Sequence, residues 1–202
     1  MIILGLTGSM GMGKSTVTKM LRLVFHVPVW DADQGVRDLL ATDLDLIAEI
    51  RTLYPEVMVL GKIDRSLLRS RAFEDEACLS TLERLIHERA FSLALQFLAK
   101  MRHLKVPLCV LDVPLLFEVG WDELCTHTAV IYAPPAIQQE RLLRRADLNE
   151  TRIQHILRRQ WTSEEKRARA TYEIQSGLSK RNTFQQLDKI ITEISKEKLQ
   201  DA

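Results

Sequence analysis

Gly8-Ser9-Met10-Gly11-Met12-Gly13-Lys14-Ser15-Thr16 is the stretch on which the reading of this chain turns. Its spacing is G-x-x-x-x-G-K-[ST]. Ahead of it, Ile2-Ile3-Leu4-Gly5-Leu6 is short and apolar, as a buried strand is. Behind it, Val17, Met20, Leu21, Val24 and Phe25 recur at helical spacing. In a strand–loop–helix of this kind, loop amides and a helix N-terminus converge on a polyphosphate. Gly11, Met12, Gly13, Lys14, Ser15 and Thr16 form the cradle. Lys14 reaches toward the β- and γ-phosphates, and Ser15 offers its hydroxyl to Mg²⁺.

Composition sets the outer bounds. The chain has 202 residues, of which 46% are hydrophobic and 27% charged, with a formal net charge of +1. This is the balance of a globular chain with a real core, and it lacks the charge excess that points to nucleic acid or a membrane surface. No apolar run approaches the length of a membrane span. The apolar start has no basic segment before it and reads as a strand, not a leader. The cysteines Cys78, Cys109 and Cys125 contain no C-x-x-C pair. They fit a reducing compartment, the cytoplasm, with Cys109 a buried structural thiol.

After the first helix, Val27 to Trp30 is a second apolar run and ends in Asp31-Ala32-Asp33. In an open parallel sheet, ligands lie beyond the carboxyl ends of the strands. Two carboxylates there suit a substrate hydroxyl or a metal-bound water. They equally suit an N-cap for the segment Gln34 to Leu40, and one Asp can cap while the other works. Asp43 to Leu53 reads as a helix ended by Tyr54-Pro55. Leu60 to Arg65 reads as a turn, with Asp64 capping the helix that follows. From Asp75 to His103 the apolar stripe Leu82, Leu85, Ile86, Ala90, Phe91, Ala94, Phe97 and Leu98 predicts one long helix. Residues 34–104 are thus mostly helical and far too long for a simple crossover, which predicts a helical subdomain inserted between strands two and three.

Val106 to Leu111 is a third strand, followed by Asp112-Val113-Pro114-Leu115-Leu116-Phe117-Glu118. A carboxylate at that strand end is the usual second half of a polyphosphate site, where it holds Mg²⁺, often through water. Thr128 to Ala133 is a fourth strand, broken by Pro134-Pro135. Between 141 and 169 stand nine Lys/Arg against four Asp/Glu. Most of these cations form a solvated helix face. Arg141 and Arg145, four apart, share a face and are candidate phosphate ligands in a helical lid. Thr171 to Ile174 is a short fifth strand. A last amphipathic helix, capped by Asn182, buries Phe184, Leu187, Ile190, Ile191 and Ile194.

Together these elements predict an α/β fold of three layers, α/β/α, around a five-stranded parallel sheet, with a helical acceptor-binding insert and a helical lid. The nucleotide-binding core comprises residues 1–33, 105–135 and 171–202, the insert 34–104 and the lid 136–170.

Several segments, in this order across nearly the whole chain, resemble the dephospho-coenzyme A kinase family, within the P-loop enzymes related to nucleoside-monophosphate kinases. They are GLTGSMGMGKST from Gly5 to Thr16, VWDADQGVR from Val29 to Arg37, GKIDRSLL from Gly61 to Leu68, Leu85-Ile86-His87, DVPLLFE from Asp112 to Glu118, QERLLRR from Gln139 to Arg145, and Arg158-Arg159-Gln160. The resemblance implies transfer of the γ-phosphoryl of ATP to the ribose 3′-hydroxyl of dephospho-CoA. It implies Asp33 as general base on that hydroxyl, and Lys14 and Arg141 as catalytic cations. Arg145 joins the loop in holding ATP, and Ser15 and Asp112 hold Mg²⁺. Asp33, Arg65, His87 and Asp112 meet the acceptor.

The chain departs from the family pattern at Ala170-Thr171 and Gln175-Ser176-Gly177, a region that by resemblance lies near the adenine. Other readings of the same scaffold are a kinase of nucleosides or nucleotides and a non-catalytic nucleotide-binding regulator. A GTPase is disfavoured because no N-K-x-D stretch is present. The expected partners are small molecules, without nucleic acid or membrane, and the expected state is a monomer or weak oligomer.

Overall fold

The computed structural model describes residues 1–144 and 150–200. The chain divides into two compact units, one of Met1–Trp30 with Met101–Ala202 and one of Asp31–Lys100.

The first unit is built on a five-stranded sheet. In chain order its strands are β1 (Ile2–Thr7), β2 (Val29–Asp31, whose first two residues belong to this unit), β5 (Leu108–Asp112), β6 (His127–Tyr132) and β7 (Tyr172–Gln175). In space the order is β2-β5-β1-β6-β7. β1 pairs in parallel with β5, Leu6 opposite Asp112, and with β6, Leu6 opposite Ala129. β1 is therefore central, and the chain leaves it first toward one edge and later toward the other. Ligands of open α/β sheets bind beyond the carboxyl end of the strand at such a reversal, and the Gly8–Ser15 loop springs from that end.

Both faces of the sheet are covered at its centre, so the inner strands β1, β5 and β6 are buried almost throughout and do not alternate, whereas the edge strand β7 has Glu173 exposed beside buried Ile174. Leu4, Leu6, Val110, Ala129, Ile131 and Ile174 are buried. They share a core with Val17 and Leu21 of α1 (Lys14–Leu23) and with Leu187, Ile190 and Ile194 of α9 (Lys180–Gln200). Phe25 stacks on Phe184 with ring centroids 5.4 Å apart. Gly5 sits under tight cover: a Cβ there would lie 2.7 Å from Cys125 Sγ and 2.8 Å from Leu116. Cys109 is fully buried, as its strand context predicts.

Between β6 and β7 stand α6 (Pro135–Leu143), α7 (Glu150–Arg158) and α8 (Ser163–Arg169), in the same compact unit as the sheet. Pro135 does not merely break the strand. It occupies the first turn of α6, where its missing N–H costs nothing. Thr162 starts α8 with a reciprocal cap, its side chain accepting from Glu165 N–H while Glu165 accepts from Thr162 N–H.

The second unit is helical apart from one hairpin. It holds α2 (Ala32–Thr42), α3 (Leu44–Leu53), β3 (Met58–Val59), β4 (Lys62–Ile63), α4 (Arg65–Glu74) and α5 (Glu76–His103), the last running on into the first unit by sequence. Asp31, Asp43 and Asp64 cap α2, α3 and α4, each accepting backbone N–H groups of the first turn. Arg89 of α5 pairs with Glu49 of α3 at 2.6 Å.

Two sequence expectations need correction. The turn at Leu60–Arg65 is in fact part of the antiparallel β3–β4 hairpin, with Leu60 and Gly61 both at positive φ (49° and 77°). Paired positive φ is the mark of a two-residue hairpin turn, and a leucine in that conformation is uncommon enough to hide it. The cap of α9 is Ser179, whose Oγ accepts from Asn182 N–H at 3.1 Å; Asn182 is inside the helix.

Candidate functional site

The loop after β1 takes its shape from two glycines at positive φ, Gly11 (82°) and Gly13 (87°). Gly13 is the residue before α1, and no side chain caps the helix there. The first-turn amides are therefore not spent on a side-chain cap, which leaves the helix N-terminus suited to an anion. Gly13 also has no room for a side chain: a Cβ would lie 2.9 Å from Ser176 Oγ and 3.1 Å from an Arg141 nitrogen. Met12 contributes only backbone, since its side chain is buried and its sulfur accepts from Ala133 N–H at 3.1 Å. Ser15 and Thr16 follow in the first turn, with Ser15 exposed.

Lys14 and Asp112 come together across the mouth of β1 and β5. The Lys14 ammonium donates to Asp112 Oδ1, and Thr18 Oγ1 donates to Asp112 Oδ2 at 2.6 Å. Asp112 is 2% exposed, so its charge depends on these two donors. Thr18 lies one turn beyond Lys14 on α1, a partner that the sequence reading did not single out. The signal was its spacing of four from Lys14, which puts both on one helix face.

Arg141 is engaged in the structure. Its guanidinium donates to the Gly11 carbonyl at 3.3 Å, to Ser176 Oγ at 3.0 Å and to the Ser176 carbonyl at 2.7 Å. Ser176 Oγ in turn donates to the Met12 carbonyl. Arg141 and Ser176 thus brace the phosphate loop from α6 and from the turn after β7. Ser176 lies where the sequence departs from the family pattern, and its contribution emerges only from the fold. Arg144 forms an exposed pair with Glu140. Arg145 lies outside the described residues.

In the second unit, Asp31 takes the capping duty, accepting from Gln34 N–H at 3.0 Å. Asp33 lies in the first turn of α2, exposed. A cavity of about 610 Å³ opens among α2, α3, β4 and α4. Arg37, Arg51, Lys62 and Arg65 are in its wall with Asp38 as the acidic member, an excess of positive charge suited to a multiply charged anion. Arg65 is thus brought to a cavity with other cations. Asp33 and His87 are not in that wall, and His87 is exposed on α5. Among the described residues no group of three or more His, Cys, Asp or Glu could hold a metal ion. A hydroxyl–carboxylate pair such as Ser15 and Asp112 meets a different need: Mg²⁺ in phosphate sites keeps waters and takes its remaining ligands from the phosphates.

Strand, glycine loop, paired lysine and aspartate, and a central β1 define a P-loop phosphotransferase core. A family model described as dephospho-CoA kinase matches residues 2–180. A dephospho-CoA kinase of Jannaschia sp. (strain CCS1) is 43% identical over 86% of this chain and 87% of that protein. A crystal structure of TT1252 from Thermus thermophilus superposes with a TM-score of 0.81 at 32% identity, covering 95% of this chain and 96% of that one. The fold of dephospho-CoA kinase from Campylobacter jejuni is also similar, with a TM-score of 0.73 at 24% identity over 97% and 98% of the two chains. The chain belongs to the dephospho-CoA kinase family.

Proposed function

We propose that this chain transfers the γ-phosphoryl group of ATP to the ribose 3′-hydroxyl of dephospho-CoA, giving CoA. The observation that carries the reading is the Lys14–Asp112 pair at the mouth of the glycine loop, in a chain of this family. Phosphoryl transfer asks little covalent chemistry of a protein; positioning and charge stabilisation do most of it. In this reading Lys14 leaves Asp112 for the β- and γ-phosphates when ATP enters, and the loop amides hold the remaining phosphate oxygens. The exposed Ser15 hydroxyl and the Asp112 carboxylate so released would hold Mg²⁺, which would supply charge neutralisation for the phosphates. Arg141, by bracing Gly11, keeps the loop carbonyls turned away from the phosphates, and Arg145 is a candidate for direct contact with them.

Asp33 accepts the proton of the acceptor hydroxyl as general base. Arg65, with Arg37 and Lys62, takes the acceptor's pyrophosphate, and His87 lies further along the acceptor. The three cysteines are free, which supports a reaction in a reducing compartment such as the cytoplasm; the enzyme of this reading is a monomer or weak oligomer acting on small molecules.

A coupled ADP-release assay tests the reading, with dephospho-CoA offered beside AMP, CMP and nucleosides. Turnover with dephospho-CoA is expected. Turnover with the nucleotides or nucleosides alone would make the chain another kinase on this scaffold. ATP binding without transfer to any acceptor would make it a regulator.

A further inference from the structure

Lys166 was one of nine cations on a stretch expected to be a solvated face. Its side chain is instead fully buried. Its ammonium donates to the Pro114 carbonyl at 2.7 Å, to Thr7 Oγ1 at 3.5 Å and to Glu118 Oε1 at 2.9 Å. Thr7 ends β1 immediately before Gly8, and Thr7 Oγ1 itself donates to the Pro114 carbonyl at 3.0 Å. Pro114 stands two residues beyond Asp112. One ammonium therefore ties together the ends of the two strands that carry the phosphate loop and its carboxylate.

Glu118 carries the tie outward. Its Oε1 also accepts from Trp161 N–H at 2.8 Å, at the junction between α7 and α8. From the same junction, Gln160 Oε1 accepts from Met10 N–H at 3.1 Å, inside the glycine loop. Phe117 stacks on Trp161, and Arg169 lies over both rings while pairing with Asp122. Among the described residues, Glu118 Oε2 is buried without a hydrogen-bond partner. Burial pushes the Lys166 ammonium below the usual lysine range, and Glu118 opposes that shift. A buried ion pair with an unsatisfied oxygen is a poor way to gain stability, because well-packed apolar side chains serve as well or better. What it does supply is one defined arrangement of the groups that meet there.

We propose that the buried Lys166–Glu118 pair is a positioning device for phosphoryl transfer. It fixes the ends of β1 and β5 against the α7–α8 junction, so that the glycine loop and Asp112 keep one relative geometry. Neither residue is placed in contact with a substrate. The pair acts through Thr7, Pro114 and the Trp161 backbone. The proposal rests on the phosphotransfer reading above.

Steady-state kinetics with ATP and dephospho-CoA decide it, measured well below the melting temperature of each variant. Glu118→Gln keeps the volume of the side chain and an oxygen for Trp161 but removes the charge. The double variant K166M/E118Q removes the ammonium without leaving a buried carboxylate unpaired. A misplacement near 1 Å costs about 10²-fold in rate, so kcat of the double variant should fall on that order and that of E118Q by about a tenth of that factor. KM for both substrates should stay within about threefold, because the binding groups are untouched. Variants that melt lower yet turn over at the wild-type rate would reduce the pair to a structural role and overturn the proposal. A rise in KM for ATP with kcat unchanged would overturn it too, by making the pair part of binding. Should the double variant not fold, E118Q decides by the same criteria. Wild-type protein runs alongside. If wild type itself fails to phosphorylate dephospho-CoA, the substrate reading has failed, and the variants are then compared on whichever acceptor wild type does use.

Discussion

Asp33 and Gly13 mark the two kinds of demand that this chain places on single residues. Asp31 and Asp33 stand two apart, and the hydrogen bond from Gln34 N–H assigns the capping to Asp31. With the capping assigned, Asp33→Asn should leave the helix in place. Its turnover should drop by about 10² or more, the usual worth of a general base, with ATP affinity held in titration calorimetry. A large loss of ATP binding instead would put Asp33 in the service of the metal or the fold. Gly13 is a backbone demand. At φ 87° with Ser176 Oγ 2.9 Å from where its Cβ would stand, Gly13→Ala meets both strain and a close contact. A left-handed non-glycine residue costs about 1–2 kcal/mol, so the ATP dissociation constant should rise about tenfold or more while far-ultraviolet circular dichroism is unchanged.

At the scale of elements, the second unit shows how ordinary helix grammar assembles a charged cavity. Three aspartates start three helices, and each start brings a different wall into place. Arg37 comes from the second turn of α2, Arg51 from the end of α3, Lys62 from the hairpin and Arg65 from the first turn of α4. No window of sequence contains them together, and the hairpin among them was missed because Leu60 carries a backbone conformation that leucine rarely adopts. If this cavity holds the acceptor's pyrophosphate, Arg65→Ala removes a charge-assisted contact worth about 1.5–3 kcal/mol. KM for dephospho-CoA should then rise by about tenfold or more, with KM for ATP unchanged. Equal effects on both substrates would move Arg65 out of the acceptor site.

Across the whole molecule, the cysteines set a pH limit. Burial pushes the Cys109 thiol up to about 11, and burial with the nearby Asp122 carboxylate pushes Cys125 up to about 12, from an ordinary value of 9.0. The folded state thus prefers the neutral thiols. Their contribution to stability is fully present below pH 9, and it is lost as pH rises through the folded values of about 11 and about 12. Thermal melting followed from pH 7 upward should therefore fall off above pH 9, and Cys109→Ala should flatten that limb. Neither thiol should react with a thiol reagent at neutral pH until the protein unfolds, since the thiolate is the reactive form. Rapid labelling of the native protein at either position would contradict this.

Local chemistry was enough to place the glycine loop, the strand ends at Asp31 and Asp112, the long helix ending at His103 and the Asp64 cap, whereas the choice of Asp31 over Asp33 came from the structure. Each rests on neighbours within a turn or a strand, and the order of such pieces carried the family. What only the tertiary structure decided is which distant groups answer one another. Lys14 is paired across the sheet with Asp112, Arg141 is committed to the loop through Ser176, and Lys166 is buried against Glu118 while reading as surface charge. The reason is physical. A helical cation has the same local pattern whether its ammonium meets water or a buried carboxylate. The difference lies in a partner 48 residues away, delivered by the packing of α8 against the strand ends and by nothing in the sequence beside it.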